Sequence, residues 1–206
     1  MKFLISILIF LSLSGIMAQN NLDENISKLM EQYTTPTNLK AEINVNIDIE
    51  GMHIPDKKIY VEFQKDKKPV VEGEGLTLLP KKGTVNQFNE LLSTPLQAIY
   101  LSKIKNNLVY KLVSLDPGSD WITADIYFDE KDFKIQESTV NTRKFGSFHT
   151  LHFYKDLIYP SKSIITFDVK KFKIPLKFIG REQSVISKEE RDKDVKGKIT
   201  LLYNYL

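Results

Sequence analysis

The chain has 206 residues, 29 Lys and Arg against 26 Asp and Glu, 3 His and no Cys, for a formal net charge of +3. So small an excess, spread over the pairs Lys57/Lys58, Lys67/Lys68, Lys81/Lys82 and Lys170/Lys171, excludes the basic stripe of a nucleic-acid-binding protein. The lack of cysteine excludes disulfides, thiolate zinc sites and the lipid-bearing cysteine of a bacterial lipoprotein.

Residues 1–18, MKFLISILIFLSLSGIMA, have the layout of a secretory signal. Lys2 supplies the positive start, Phe3 to Leu13 is apolar apart from Ser6 and Ser12, and Ser14 and Gly15 precede Ala18. Cleavage is expected after Ala18, leaving one domain over 19–206. An uncleaved anchor is the rival reading, but the run is short of the roughly 20 apolar residues that a membrane helix needs. The lysine pairs read as solvated loop ends and charged strand edges, with a patch for acidic lipid headgroups as the alternative.

Leu22 to Tyr33 is predicted helical. Asp23 caps it, and Ile26, Leu29, Met30 and Tyr33 recur at the spacing of one apolar face. Pro36 stops the helix and the period changes to two. Ile43, Val45, Ile47 and Ile49 alternate with polar residues on a first strand; past a turn over Gly51 to Pro55, Ile59, Val61 and Phe63 do so on a second. The stretch VVEGEGLTLLPKKG reads as two short strands around Gly73 and Gly75, glycines that mark a bend. Val85, Phe88, Leu91 and Leu92 form the apolar face of a short helix closed by Ser93, Thr94 and Pro95. Leu96 to Ile104 is ambiguous between helix and strand, and Leu108 to Leu115 follows it.

The second half reads as a meander. Ile122, Ala124, Ile126 and Phe128 alternate on one strand, and Phe133 to Val140 makes the next after a turn over Asp129 to Asp132. Leu151 and Phe153 share a face of Phe148 to Tyr154. Tyr159-Pro160 opens a strand over Ser161 to Phe172, where Ile165, Phe167 and Val169 share a face. Gly180 to Gly197 is a charged excursion and Ile199 to Tyr205 a last strand. About ten strands with two or three helices give a mainly β fold: a curled antiparallel sheet, an incomplete β-barrel, with helices covering the concave face. Its interior is either packed solid or open to a ligand.

Catalytic chemistry is hard to assemble from these residues. His149 and His152 stand three apart on a strand and so face opposite ways, which rules out shared chelation. Asp125, Asp129 and Glu130 gather at a strand end as an ordinary charged turn, and Trp121 reads as a packing residue at a strand start. No nucleophile elbow, H-E-x-x-H pair or phosphate loop occurs. An enzyme is disfavoured, and no cofactor or metal is expected.

The helix NLDENISKLMEQY followed at once by LKAEINVNIDI, the lysine-rich strand pair leading into GLTLLPKKG, and the meander ADIYFDEKDFKIQESTV to GSFHTLHFYKDLIYPSKSIITFDV together resemble the LolA/LolB periplasmic lipoprotein-carrier superfamily, as a divergent LolA-like member. The resemblance implies an incomplete barrel whose apolar concavity is covered by helices and holds the acyl chains of lipids or lipoproteins. It implies a periplasmic carrier working toward the outer membrane, with a membrane-bound donor or acceptor as a further partner. The arginine that latches the lid in that family has no counterpart, because Arg143, Arg181 and Arg191 all lie in the second half. The residues assigned to the cavity are Ile43, Val45, Ile47, Val61, Phe63, Ile126, Phe128, Phe153, Phe167 and Val169, and those assigned to the lid are Phe88, Leu91 and Leu92. The alternative is a non-catalytic envelope interaction module with a solid β core.

Overall fold

The computed structural model describes residues 23–34, 39–49, 52–63, 70–73, 87–144, 146–169 and 195–206. The leader, the second short strand expected around Gly75, the start of the short helix at Val85 and most of the charged stretch 180–197 lie outside the described residues. Among the described residues two helices, α1 (Glu24–Thr34) and α2 (Gln87–Ser93), accompany eleven strands. The strands are β1 (Leu39–Ile49), β2 (Met52–His53), β3 (Lys57–Phe63), β4 (Val70–Glu72), β5 (Leu96–Ile104), β6 (Asn107–Ser114), β7 (Trp121–Asp129), β8 (Ile135–Thr142), β9 (Ser147–Phe153), β10 (Lys162–Val169) and β11 (Val195–Tyr205). Residues 96–104, ambiguous by pattern, are strand.

One antiparallel sheet runs β4-β3-β1-β11-β10-β9-β8-β7-β6-β5, with β2 beside β1. Hairpin neighbours account for β5 to β10, as a meander requires. The last strand then inserts between β10 and β1 and joins the two halves of the chain. The path ends at β4 and β5 without pairing them, so the sheet is a curled, incomplete barrel. β5 leaves Ile99, Tyr100, Leu101 and Ile104 exposed. A register shift between Tyr100 and Ser102 interrupts its pairing, a feature that twists an edge away from further strands.

Opposed residues of an antiparallel pair share a face, so the register traces a single inner surface. Val61 lies opposite Ala41, Val45 opposite Leu201, Ile47 opposite Ile199, and Phe167 opposite Phe148. Farther along, Ser138 lies opposite Thr150 and Ile126, and Ile126 opposite Tyr110. Two buried clusters occupy this surface. The first unites Ile26, Leu29 and Tyr33 of α1 and Phe88, Leu91 and Leu92 of α2 with β5 to β8. The second is built from β1, β3, β10 and β11 with Ile54, and contains no residue of either helix. Gly197 belongs to its architecture, for a Cβ there would stand 2.4 Å from the Phe167 ring, which lies across the β11 backbone.

Helix α1 is tied to the sheet at both ends. Asp23 caps it by accepting the Asn25 N–H at 2.9 Å, and the same carboxylate accepts the Tyr110 hydroxyl at 2.7 Å. Burial, with Asp23 beside it, pushes that hydroxyl up to about 12. At the other end the Tyr33 hydroxyl accepts the Ile135 N–H at 3.2 Å, while Tyr154 donates to the Ile135 carbonyl at 2.6 Å. The register shift between Tyr127 and Phe128 explains the arrangement: it interrupts the β7–β8 ladder beside Ile135, whose polar groups then need side-chain partners. Tyr33→Phe is therefore expected to destabilise the protein by about 1–3 kcal/mol, the cost of a buried unpaired donor. Urea unfolding of the two proteins measures the difference, and equal midpoints would show that Ile135 does not depend on the tyrosine.

Candidate ligand-binding face

Seven of the residues assigned to a cavity from the sequence lie buried on the inner face: Ile43, Val45, Ile47, Val61, Ile126, Phe128 and Phe167. They are divided between the two clusters, with Ile126 and Phe128 in the helix-covered one and the rest in the other. The side chains of Phe63 and Val169 lie outside the described residues. Phe153 requires a correction. It is 45% exposed on the outer face, opposite Lys162, whose ammonium stands 5.6 Å from its ring centroid. Strand β9 carries apolar side chains on both faces, and the register turns Phe148, Thr150 and His152 inward.

The lid residues Phe88, Leu91 and Leu92 are seated in the first cluster. Phe88 packs against Tyr33 at 5.2 Å between ring centroids and meets the His152 ring edge-on at 4.8 Å. Helix α2 thus stands over the middle of the sheet, where β9 runs.

Beneath it the apolar surface is interrupted. Ser138 on β8, Thr150 and His152 on β9 and Ser163 on β10 are the buried polar side chains among the described residues. They form a strip between the two clusters, Ser138 opposite Thr150 and His152 opposite Ser163. His152 Nδ1 and Ser163 Oγ are 2.9 Å apart. The Ser138 and Thr150 hydroxyls and His152 Nε2 have no hydrogen-bond partner among the described residues. Burial lowers the His152 pKa to about 3, so the imidazole is neutral and the strip uncharged. Burial likewise pushes the Tyr33, Tyr154, Tyr203 and Tyr205 hydroxyls above the usual range, which keeps them protonated. Sequence reading did not single out the strip. Its signal was present, since these four residues occupy the inward positions of alternating strands, but it surfaces only once three strands are set in register.

The other residues singled out from the sequence lie away from the strip. His149 pairs with Glu137 at 2.8 Å, across the sheet from His152. Asp125 is paired with Lys111 and Glu130 with Lys103, each at 2.5 Å, while Asp129 caps the β7–β8 turn by accepting the Lys131 N–H at 2.8 Å. Trp121 is buried in the first cluster. Among the described residues no group of His, Asp and Glu is placed to hold a metal, and no helix is long and apolar enough to cross a membrane. A cleft of about 120 Å³ lies at the β3–β4 edge between Lys40, Tyr60, Val70 and Leu206, away from the strip.

No protein-family model matches the sequence, and no curated protein matches it. The architecture does have a solved counterpart. A LolA superfamily protein from Nitrosomonas europaea aligns with a TM-score of 0.55 at 8% identity, over 87% of this chain and 90% of that one. The fold is LolA-like. Looser matches are a DUF1329 family protein from Desulfovibrio piger, with a TM-score of 0.49 at 6% identity over 87% and 89% of the two chains, and an outer membrane lipoprotein-sorting protein domain from Vibrio parahaemolyticus, at 0.43 and 8% over 87% and 91%. Within this LolA-like sheet the inner face is bounded by α1 and α2 on one half.

Proposed function

We propose that the protein is a periplasmic, non-catalytic carrier that shelters the acyl chain of a lipid or lipoprotein against the inner face of its LolA-like sheet and passes it toward the outer membrane. The observation that carries this reading is the continuity of the inner face, which is lined by apolar residues on both sides of a narrow polar strip. Export follows from the leader over 1–18, cleaved after Ala18. In this reading Ile43, Val45, Ile47, Val61, Ile126, Phe128 and Phe167 supply the apolar surface. Helix α2, through Phe88, Leu91 and Leu92, is the element that yields to admit the chain. Each methylene taken from water contributes about 0.8 kcal/mol. An acyl chain of about a dozen carbons gains roughly 10 kcal/mol before the costs of association and of shifting α2, which suits cargo that is to be released. A membrane-bound donor or acceptor would complete the transfer.

A second reading, an envelope interaction module with a solid core, is favoured by one observation: Phe128, Leu91 and Leu92 have almost no exposure. Titrating the exported, purified protein with a dansylated fatty acid separates the two. Saturable uptake with a blue-shifted emission, displaced by unlabelled lipid, is the expected result. Undetectable uptake together with a stoichiometric protein partner in native mass spectrometry would move the assignment to the second reading.

A further inference from the structure

We infer that the Ser138 and Thr150 hydroxyls, flanked by His152, form a polar subsite that receives the neutral carbonyl of an ester or amide joining the acyl chain to its headgroup. This rests on the carrier reading and sharpens it: the apolar halves take hydrocarbon, and the strip between them takes the one polar atom that an acyl linkage cannot leave behind in water.

A buried hydroxyl without a partner costs free energy, and most proteins avoid it. Here two such hydroxyls lie directly opposite each other on paired strands, where facing Cβ atoms are about 4.5–5.5 Å apart. A carbonyl oxygen has two lone pairs and each hydroxyl has one proton to donate. One oxygen set between Ser138 and Thr150 would therefore satisfy both. His152 Nε2 is one inward position farther along β9, available to a second polar atom of the linkage, its ring fixed by Ser163 on one side and by the edge-on contact with Phe88 on the other. The members of the strip are hydroxyls and a neutral imidazole. With no cation among them, two hydroxyl donors offset only a small part of a free carboxylate's loss of water, whereas they replace the hydrogen bonds that a neutral carbonyl gives up. Because Phe88 lies against His152, α2 also stands over the subsite, and filling it is coupled to displacing that helix.

The test uses the full exported protein and diphenylhexatriene, a fluorescent hydrocarbon with no polar atom, as the reporter of the apolar face. Methyl laurate, N-methyl lauramide, laurate and dodecane compete for it. In the wild type the ester or the amide, or both, should displace the reporter about tenfold more effectively than dodecane, the factor expected for one or two good hydrogen bonds. Laurate should do no better than dodecane. In Ser138→Ala/Thr150→Val the preference should vanish while displacement by dodecane is unchanged, and the melting temperature should hold or rise, since two unpaired buried hydroxyls are gone. A preference that survives the double substitution, a preference for laurate, or a marked fall in melting temperature overturns the subsite and leaves the carrier standing. Failure of the wild type to take up the reporter at all overturns the carrier reading, and the subsite with it.

Discussion

Replacing Phe128 with alanine is expected to remove about 3–5 kcal/mol of stability, the range for deleting a fully buried aromatic ring. The ring has no exposed surface and lies stacked between Tyr110 at 5.6 Å and Phe133 at 5.9 Å. Phe133 reaches that position with a positive φ of 54°, a left-handed backbone costing a non-glycine residue about 1–2 kcal/mol, which the stacking has to offset. Losing Phe128 removes the surface on which Phe133 rests as well as its own contacts. Phe153→Ala is the internal control. It truncates an exposed ring on the outer face and should cost less than about 1 kcal/mol. Urea unfolding of both variants decides the matter: equal losses would mean that the helix-covered half of the sheet is loosely packed and that Phe128 lines open space.

The contrast between those two phenylalanines shows what the sequence conveyed and where it stopped. Strand β1 was legible down to its buried face because Ile43, Val45, Ile47 and Ile49 alternate with Asn44, Asn46 and Asp48, so one choice of face buries everything apolar. Strand β9, Ser147–Phe153, offers Phe148, Thr150 and His152 on one parity and His149, Leu151 and Phe153 on the other. Local pattern favours the second set, yet pairing with Ser138 and Ser163 turns the first set inward. Helix α1 announced itself through Asp23 and its apolar spacing, and α2 through Phe88, Leu91 and Leu92. The placement of β11 between β10 and β1 carried no local signal at all, because strand pairing over most of the chain length is decided by which apolar faces complete a common surface. The polar strip was hidden for the same reason. Ser138, Thr150, His152 and Ser163 are ordinary residues on three separate strands, and only the register brings the three strands' contributions together.

His152 gives the second large effect, on the dependence of stability on pH. Its imidazole has a pKa near 6.5 in the unfolded chain, and burial lowers it to about 3 in the fold. Between these values the unfolded state binds a proton that the native state refuses, so stability falls as the pH falls. The full contribution is present above about pH 6.5 and is lost progressively toward pH 3, at about 1.4 kcal/mol per pH unit and a few kcal/mol in all. The groups facing the ring do not reverse the sign. Phe88 is apolar, Ser163 does not titrate here, and Tyr154 stays protonated throughout. His152→Phe keeps a ring against Phe88 and removes the titration. Between pH 7 and pH 5 the wild type should therefore lose about 2 kcal/mol more than the variant, as read from urea midpoints at each pH. Parallel losses would mean that the imidazole accepts its proton inside the folded sheet, and hence that water or a counter-charge reaches the strip beneath α2.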